Sequence, residues 1–290
     1  MEFHQARKFT NMIQDQDTNI VFLSEWLKIA YPGFFSRFTK LLNELGIHWK
    51  TLNYTNDIWA RDYMPIQLGK DDFLKYKYWP DYLLENKKDQ KTITDCRQTC
   101  EALGIRYRET DIIIDGGNLV PCGDFIVMTD KVFTENQVEK YDKSFISRLE
   151  TELGRRVIII PWHKTFGDEY GHADGFIKWC GGNQVLMSNH RDTDPNEAKE
   201  IKQRLESHGF VVKEMLFSVA KPSPDWNWAY VNFLQVGDKV IMPSFGIPED
   251  KQAFNYIKEA LPNCEIRQIQ MKSIADIGGA LHCLTWNILL

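Results

Sequence analysis

Five times along the chain an amphipathic helical segment stops and a strand-like run follows: LLNELG/IHWKTL, CEALG/IRYRE, LETELG/RRVIIIP, RLESHG/FVVKEML and KEALPN/CEIRQIQ. The stops are Gly46, Gly104, Gly154, Gly209 and Asn263, spaced 58, 50, 55 and 54 residues apart. Glycine and asparagine accept the left-handed backbone that closes a helix. This is a repeat of architecture rather than of letters, and it constrains the fold more than any single motif. Each unit continues with a polar or Gly-rich segment, a strand, a tight turn and a second strand, as in NLVPCGDFIVMTD, GFIKWCGGNQVLMSN and NFLQVGDKVIMPS. CGD, CGGN and VGD fit hairpin turns, so the unit is ββαβ.

Helix signals agree with this phase. Asp194-Pro195 with Glu197 predicts a capped helix start, and Ala198, Ile201 and Leu205 then keep one apolar face. The chain begins and ends midway through a unit. That favours a closed ring, with ALHCLTWNI pairing with NIVFLS, over a linear array. No linker-like stretch divides it, so residues 1–290 are expected to form a single α/β domain of five ββαβ modules with pseudo-fivefold symmetry.

A net charge of −5 argues against nucleic acid or an anionic membrane as partner, since both need a basic face, and suits a cationic ligand. No apolar run is long enough to span a bilayer and the polar start is unlike a secretory signal, so the expected location is cytoplasmic. Six cysteines (96, 100, 122, 180, 264, 283) occur without CxxC pairs and are expected as reduced thiols, with no metal site. Cys96 and Cys100, four apart, read as buried thiols of one helix.

Unusual residues gather at one phase of the repeat: NDIWARD (56–62), DGGN (115–118), GDEYGHAD (167–174), WNWAYVN (226–232) and GGALHC (278–283). Equivalent positions in a ring converge on its centre, which predicts one site built from five loops. If 278–288 is a strand, Cys283 faces the site and His282 the opposite side. His172 and Asp174 share a face if GHAD is extended, and Asp62 joins them from the first unit. Two carboxylates repel unless a cation joins them, and a planar guanidinium satisfies both. Its carbon then lies open to the thiolate, which reads as guanidine hydrolysis through an S-bound amidino intermediate. Structural alternatives stand beside each choice: a core cysteine, a satisfied histidine, Asp62 paired with Arg61 or capping a turn, DGGN as a tight turn, and Trp59, Trp226 and Trp228 as packing at module junctions.

WARD followed by Tyr-Met-Pro, then DGGN, GDEYGHADGF, YVNF, VIMPSFG and GGALHC, occur nearly end to end in the order found in the agmatine deiminase and bacterial-type peptidylarginine deiminase family, which this chain resembles. The resemblance implies a five-bladed α/β propeller, Cys283 as nucleophile, His172 as general acid/base, and Asp62 and Asp174 as the acids that grip the guanidinium. It places Trp59, Asp115, Asn118, Asn232 and Gly279 in or beside the substrate pocket, and Asp168 or Glu169 at a second charged end of the substrate. No cofactor is implied, and a homodimer is compatible with it. The sequence departs from the family in reading GGALHC followed by LTWN where agmatine deiminases usually read GGGNIHC followed by Thr-Gln-Gln. The expected reaction is hydrolysis of agmatine or a related arginine derivative to a ureido product and ammonia. Peptidylarginine deimination, amidino transfer to an amine, and a binding protein without catalysis are the competing readings.

Overall fold

The computed structural model describes residues 12–164 and 168–290. Its strands, in chain order, are β1 (Ile20–Ser24), β2 (His48–Leu52), β3 (Ile66–Gly69), β4 (Asp72–Lys77), β5 (Arg108–Ile113), β6 (Val120–Cys122), β7 (Phe125–Thr129) and β8 (Arg156–Ile160). They continue as β9 (Ile177–Trp179), β10 (Gln184–Met187), β11 (Val211–Glu214), β12 (Leu234–Val236), β13 (Lys239–Ser244), β14 (Glu265–Gln270) and β15 (Thr285–Ile288). They pair as five three-stranded sheets: β15-β1-β2, β3-β4-β5, β6-β7-β8, β9-β10-β11 and β12-β13-β14. In every sheet the first pair is antiparallel and the second parallel. A parallel neighbour needs a crossover. In all five units a helix supplies it: Pro32–Glu44, Arg97–Leu103, Lys143–Leu153, Pro195–Glu206 and Glu249–Ala260.

The expected closure is present: β15 runs antiparallel to β1 with Ile20 opposite Ile288 and Leu23 opposite Thr285. Trp286 of β15 is buried against Phe22, ring centres 5.2 Å apart, and donates its indole N–H to Pro65 O at 2.8 Å. The crossover helices bury one stripe each. Phe38 and Leu42, Leu149 and Leu153, Ala198, Ile201 and Leu205, and Ala253 and Ile257 are all buried. A fully buried Leu or Ile contributes about 1.5–3 kcal/mol, so these stripes fix each helix over its own sheet. Asp194 accepts from the amides of Asn196 and Glu197 as the cap signal required.

Gly46, Gly104, Gly154 and Gly209 take positive φ after their helices. Asn263 does not: the last crossover helix ends at Ala260 with Leu261 as its cap, and Asn263 lies in the turn before β14. The GGALHC segment is the larger departure from the sequence reading. Leu281–Leu284 forms a short helical turn, and only Thr285–Ile288 is strand. Among the described residues no helix is long and apolar enough to cross a membrane, and all six cysteines are free, with Cys96 and Cys100 buried.

Candidate active site

Each of the five singled-out segments ends as a tight turn beside its sheet. Asp62 sits on the helical turn Ala60–Tyr63, anchored by the Tyr76 hydroxyl, which lies 2.9 Å from the carbonyl oxygens of both Asp62 and Met64. Gly116–Asn118 and Ala173–Gly175 are 3₁₀ turns, Asn232 follows the turn Pro224–Tyr230, and Cys283 sits on Leu281–Leu284.

Hydrogen bonds link the five turns in cyclic order. The Gly117 amide donates to Asp62 Oδ1 at 2.9 Å. His172 Nε2 meets Asp115 Oδ2 at 2.9 Å, and Asn118 Oδ1 accepts from Ala173 N at 3.3 Å. Asn232 Nδ2 donates to Asp174 O at 3.3 Å, and its Oδ1 accepts from the amides of His282 at 3.1 Å and Cys283 at 3.2 Å. Arg61 Nε closes the circle by donating to His282 O at 3.4 Å. The convergence predicted from the repeat is therefore present.

At the junction Cys283 Sγ lies 3.6 Å from Asp174 Oδ2 and 3.2 Å from Asn232 Nδ2. His172 Nδ1 lies 3.8 Å from Asp62 Oδ1, leaving Nε2 to Asp115. Glycine is required between them: a Cβ on Gly117 would stand 2.6 Å from His172 Nδ1 and 2.9 Å from Asp62 Oδ1. Gly117→Ala is expected to keep the fold, by circular dichroism, yet lower kcat/KM about 100-fold, since about 1 Å of misplacement has that effect. Near-normal kcat/KM in a folded Gly117→Ala protein would remove this tight packing from the requirements of the site.

Burial in surroundings of low dielectric makes the electrostatics strong. Burial pushes the Asp62 carboxyl up to about 7, against the pull of His172 and with the help of Asp115 and Asp174. Burial lowers His172, but the carboxylates of Asp62 and Asp115 outweigh it and hold the imidazole at about 9. Burial also opposes ionisation of Asp174, yet the His282 hydrogen bond at 2.7 Å holds its carboxyl below the usual range. Burial first, then the charges of Asp174 and Asp62, push the Cys283 thiol well above its usual range. The site thus holds a neutral thiol beside an anion and a protonated imidazole, and its charge balance invites a planar cation.

The structure revises several sequence expectations. The helical turn at 281–284 removes strand alternation, so His282 is not turned away: its Nδ1 holds Asp174, the same carboxylate that Cys283 faces. GHAD is a turn rather than extended, and His172 and Asp174 have different partners, Asp115 and His282. Asn118 is engaged with the backbone, its Oδ1 accepting from Thr129 at 2.7 Å and from Ala173. Asp115 faces His172, and Asn232 orients the Cys283 turn. DGGN is both a tight turn and a wall of the site.

The residues assigned to the far end of a substrate also differ. Asp168 accepts from the amides of Tyr170 and Gly171 and from the Trp162 indole, so it shapes its own loop, while Glu169 is exposed. Gly167 of that motif lies outside the described residues. Trp59 packs closely against Gly279, where a Cβ would stand 2.1 Å from the ring, and Tyr170 packs against Gly278, where a Cβ would stand 2.6 Å from it. Trp226 stacks on Phe245 and donates to Asp276 at 2.8 Å, a packing role, and Trp228 donates to Asp225 O at 3.1 Å.

Three further residues complete the surroundings: Lys131 and Tyr82, which carry no sequence signal, and Tyr170 of the GDEYGHAD segment. The buried Lys131 ammonium lies 3.1 Å from Asp81, 3.2 Å from Glu135 and 3.9 Å from Asp115, and 4.6 Å above the Tyr82 ring. Tyr82 meets Tyr170 edge-on at 4.9 Å, and both rings flank His172. Away from these turns, His163, Asp194 and Glu197 bring ligand-type atoms within 4.8 Å of one another. Asp194 there already caps a helix, and Glu197 is held by His190 and the His163 amide.

Residues 28–288 match the sequence profile of the Porphyromonas-type peptidyl-arginine deiminases. The chain belongs to this family. An agmatine deiminase of Pseudomonas aeruginosa is 26% identical over 213 residues, which span 62% of this chain and 58% of the relative. The agmatine deiminase of C. jejuni with substrate bound superposes with a TM-score of 0.76 at 16% identity, over 97% of this chain and 96% of that one. The amidinotransferase SxtG of Microseira wollei superposes at 0.62 with 12% identity, over 96% of both chains. At those identities the likeness to the solved structures establishes a common mixed α/β fold.

Proposed function

We propose that the chain is a guanidine deiminase: a single five-bladed α/β propeller, residues 1–290, that hydrolyses the guanidino group of agmatine or a related arginine derivative to a ureido product and ammonia. The observation that carries this reading is the approach of Cys283 Sγ to Asp174 Oδ2, with His172 and Asp62 on the adjoining turns. Family membership and the agmatine deiminases among the relatives support the same reaction class. Ring packing of Trp59 on Gly279 and Tyr170 on Gly278 supports a small substrate over a peptide.

In this mechanism the guanidinium docks between Asp62 and Asp174, two acceptors for its planar N–H pairs. Its charge cancels the two carboxylates that hold the thiol protonated, so Cys283 releases its proton to solvent and becomes the nucleophile. The thiolate attacks the guanidino carbon. His172, with Nε2 anchored on Asp115, uses its Nδ1 proton to carry off ammonia, leaving a thiouronium. The neutral imidazole then takes a proton from water, whose oxygen attacks the same carbon, and collapse breaks the C–S bond and frees the neutral ureido product as the remaining hydroxyl proton passes to the departing sulfur, which restores the Cys283 thiol. Asn232 and His282 hold the nucleophile's turn and the Asp174 carboxylate.

Free-enzyme groups govern the pH dependence of kcat/KM. Asp62 must be ionised to bind the cation and His172 must be protonated to release ammonia. The profile is expected to be a bell with limbs near 7 and 9, and Asp62→Asn is expected to flatten the acid limb. A wild-type profile level from pH 6 to 10 would contradict these assignments. The reaction itself is tested by ammonia and ureido-product release from agmatine, free arginine, methylated arginines and an arginine peptide, with and without an amine acceptor. Release from one compound without acceptor establishes the deiminase. Turnover that requires the acceptor would make the chain an amidinotransferase.

A further inference from the structure

Behind the pair Asp174 and His282 lies a second charged network that the proposed reaction does not use. His282 spends Nδ1 on Asp174, and its Nε2 faces Asp15 Oδ2 at 3.6 Å. Asp15 belongs to the short turn Asp15–Asp17, far from the site in sequence. Its carboxylate also binds Lys178 Nζ and accepts from Asn287 Nδ2 at 2.9 Å. Asn287 Oδ1 in turn accepts from Arg61, whose Nε already holds His282 O. Lys178 is buried and donates to Phe233 O at 3.3 Å. Two small cavities, about 40 and 20 Å³, flank this cluster. Gln14 and Asp15 line both, Arg61 and Asn287 the first, and Asp174, Lys178 and His282 the second.

The arrangement has an electrostatic consequence. Two basic side chains, Arg61 against His282 O and Lys178 against Asp15, lie behind the carboxylate that is to receive a guanidinium. Uncompensated, they would draw on Asp174 and repel the incoming guanidinium, in surroundings where water screens little. Asp15 is the carboxylate in direct contact with Lys178 and the one facing the free nitrogen of His282. We propose that Asp15 is a positioning residue of the guanidinium site: it neutralises Lys178 and accepts from Asn287, so that the attraction of Asp174 for the substrate cation is not offset by a buried ammonium behind it. This rests on the deiminase reading for its consequence in turnover, and on geometry alone for its consequence at the thiol.

The test uses the full chain carrying Asp15→Asn, the charge-balanced double variant Asp15→Asn/Lys178→Met, and Asp15→Glu. Two quantities are read: KM and kcat for agmatine, and the rate of iodoacetamide alkylation of Cys283 without substrate, followed by peptide mass. Asp15→Asn is expected to raise KM at least tenfold with kcat within threefold, and to speed alkylation at least fivefold, because an unpaired cation now favours the thiolate. The double variant and Asp15→Glu are expected to return both to within threefold of the unmodified chain. A folded Asp15→Asn protein with unchanged KM and alkylation overturns the proposal, as does a double variant as impaired as the single one, which would mark a structural role. Should Asp15→Asn not fold, the double variant decides in the same way, with normal values supporting charge balance and impaired values overturning it. If the unmodified chain turns over no guanidine, the deiminase reading fails by itself and the alkylation rates still decide the role of Asp15.

Discussion

Cys283→Ala is expected to abolish turnover, by about 10⁴-fold or more, while leaving the thermal unfolding midpoint within a few degrees of the unmodified chain. The size follows from removing the covalent step: among the described residues Cys283 is the thiol placed against Asp174, and water attacking a resonance-stabilised guanidinium directly lacks the stepwise route. The small effect on stability follows from the surroundings. The thiol is buried between Asp174 and Asn232 and gains nothing from ionising there. Steady-state ammonia release and a melting curve check both halves. Residual activity within tenfold of normal would remove Cys283 from the chemistry.

Asp174→Asn is expected to lower kcat/KM about 10³-fold or more, with KM raised as well as kcat reduced. The carboxylate is one half of the proposed clamp, and hydrogen bonds to a charged group contribute about 1.5–3 kcal/mol each. Its loss also leaves the His282 Nδ1 proton facing an amide. An accompanying effect has the opposite sign: Asp174 is a leading charge that keeps the free thiol protonated, so the Asn variant is expected to alkylate faster at Cys283 while turning over far more slowly. Slower alkylation together with lower activity would point to collapse of the turn instead, and unchanged kcat/KM would take Asp174 out of the clamp.

Legibility in the sequence followed the range of the interaction. Helix stops, hairpin glycines and the Asp194 cap are local signals, and the sheets formed where those signals placed them. The pairing of β15 with β1 was legible in the two strand-like runs ALHCLTWNI and NIVFLS. The missed details are tertiary. Strand alternation around Cys283 failed because Asn232, from another unit, accepts from two successive amides and bends residues 281–284 into a helical turn. Asn118 and Asp168 read as pocket residues from their loop positions; in the fold Asn118 also accepts from the amides of Thr129 and Ala173, while Asp168 accepts from Tyr170 and Gly171 within its own loop. Lys131, Lys178 and Asp15 carry no pattern at all, since a buried ion pair between distant segments leaves no periodicity in either.

The covalent step through Cys283 is tested most directly by acid quench of the enzyme within milliseconds of mixing with agmatine, followed by intact and peptide mass analysis. Deimination through a thiouronium predicts a mass increase equal to agmatine less ammonia, on the peptide that contains Cys283, and its absence in Cys283→Ala. Rapid product formation with unmodified Cys283 at every quench time would contradict it.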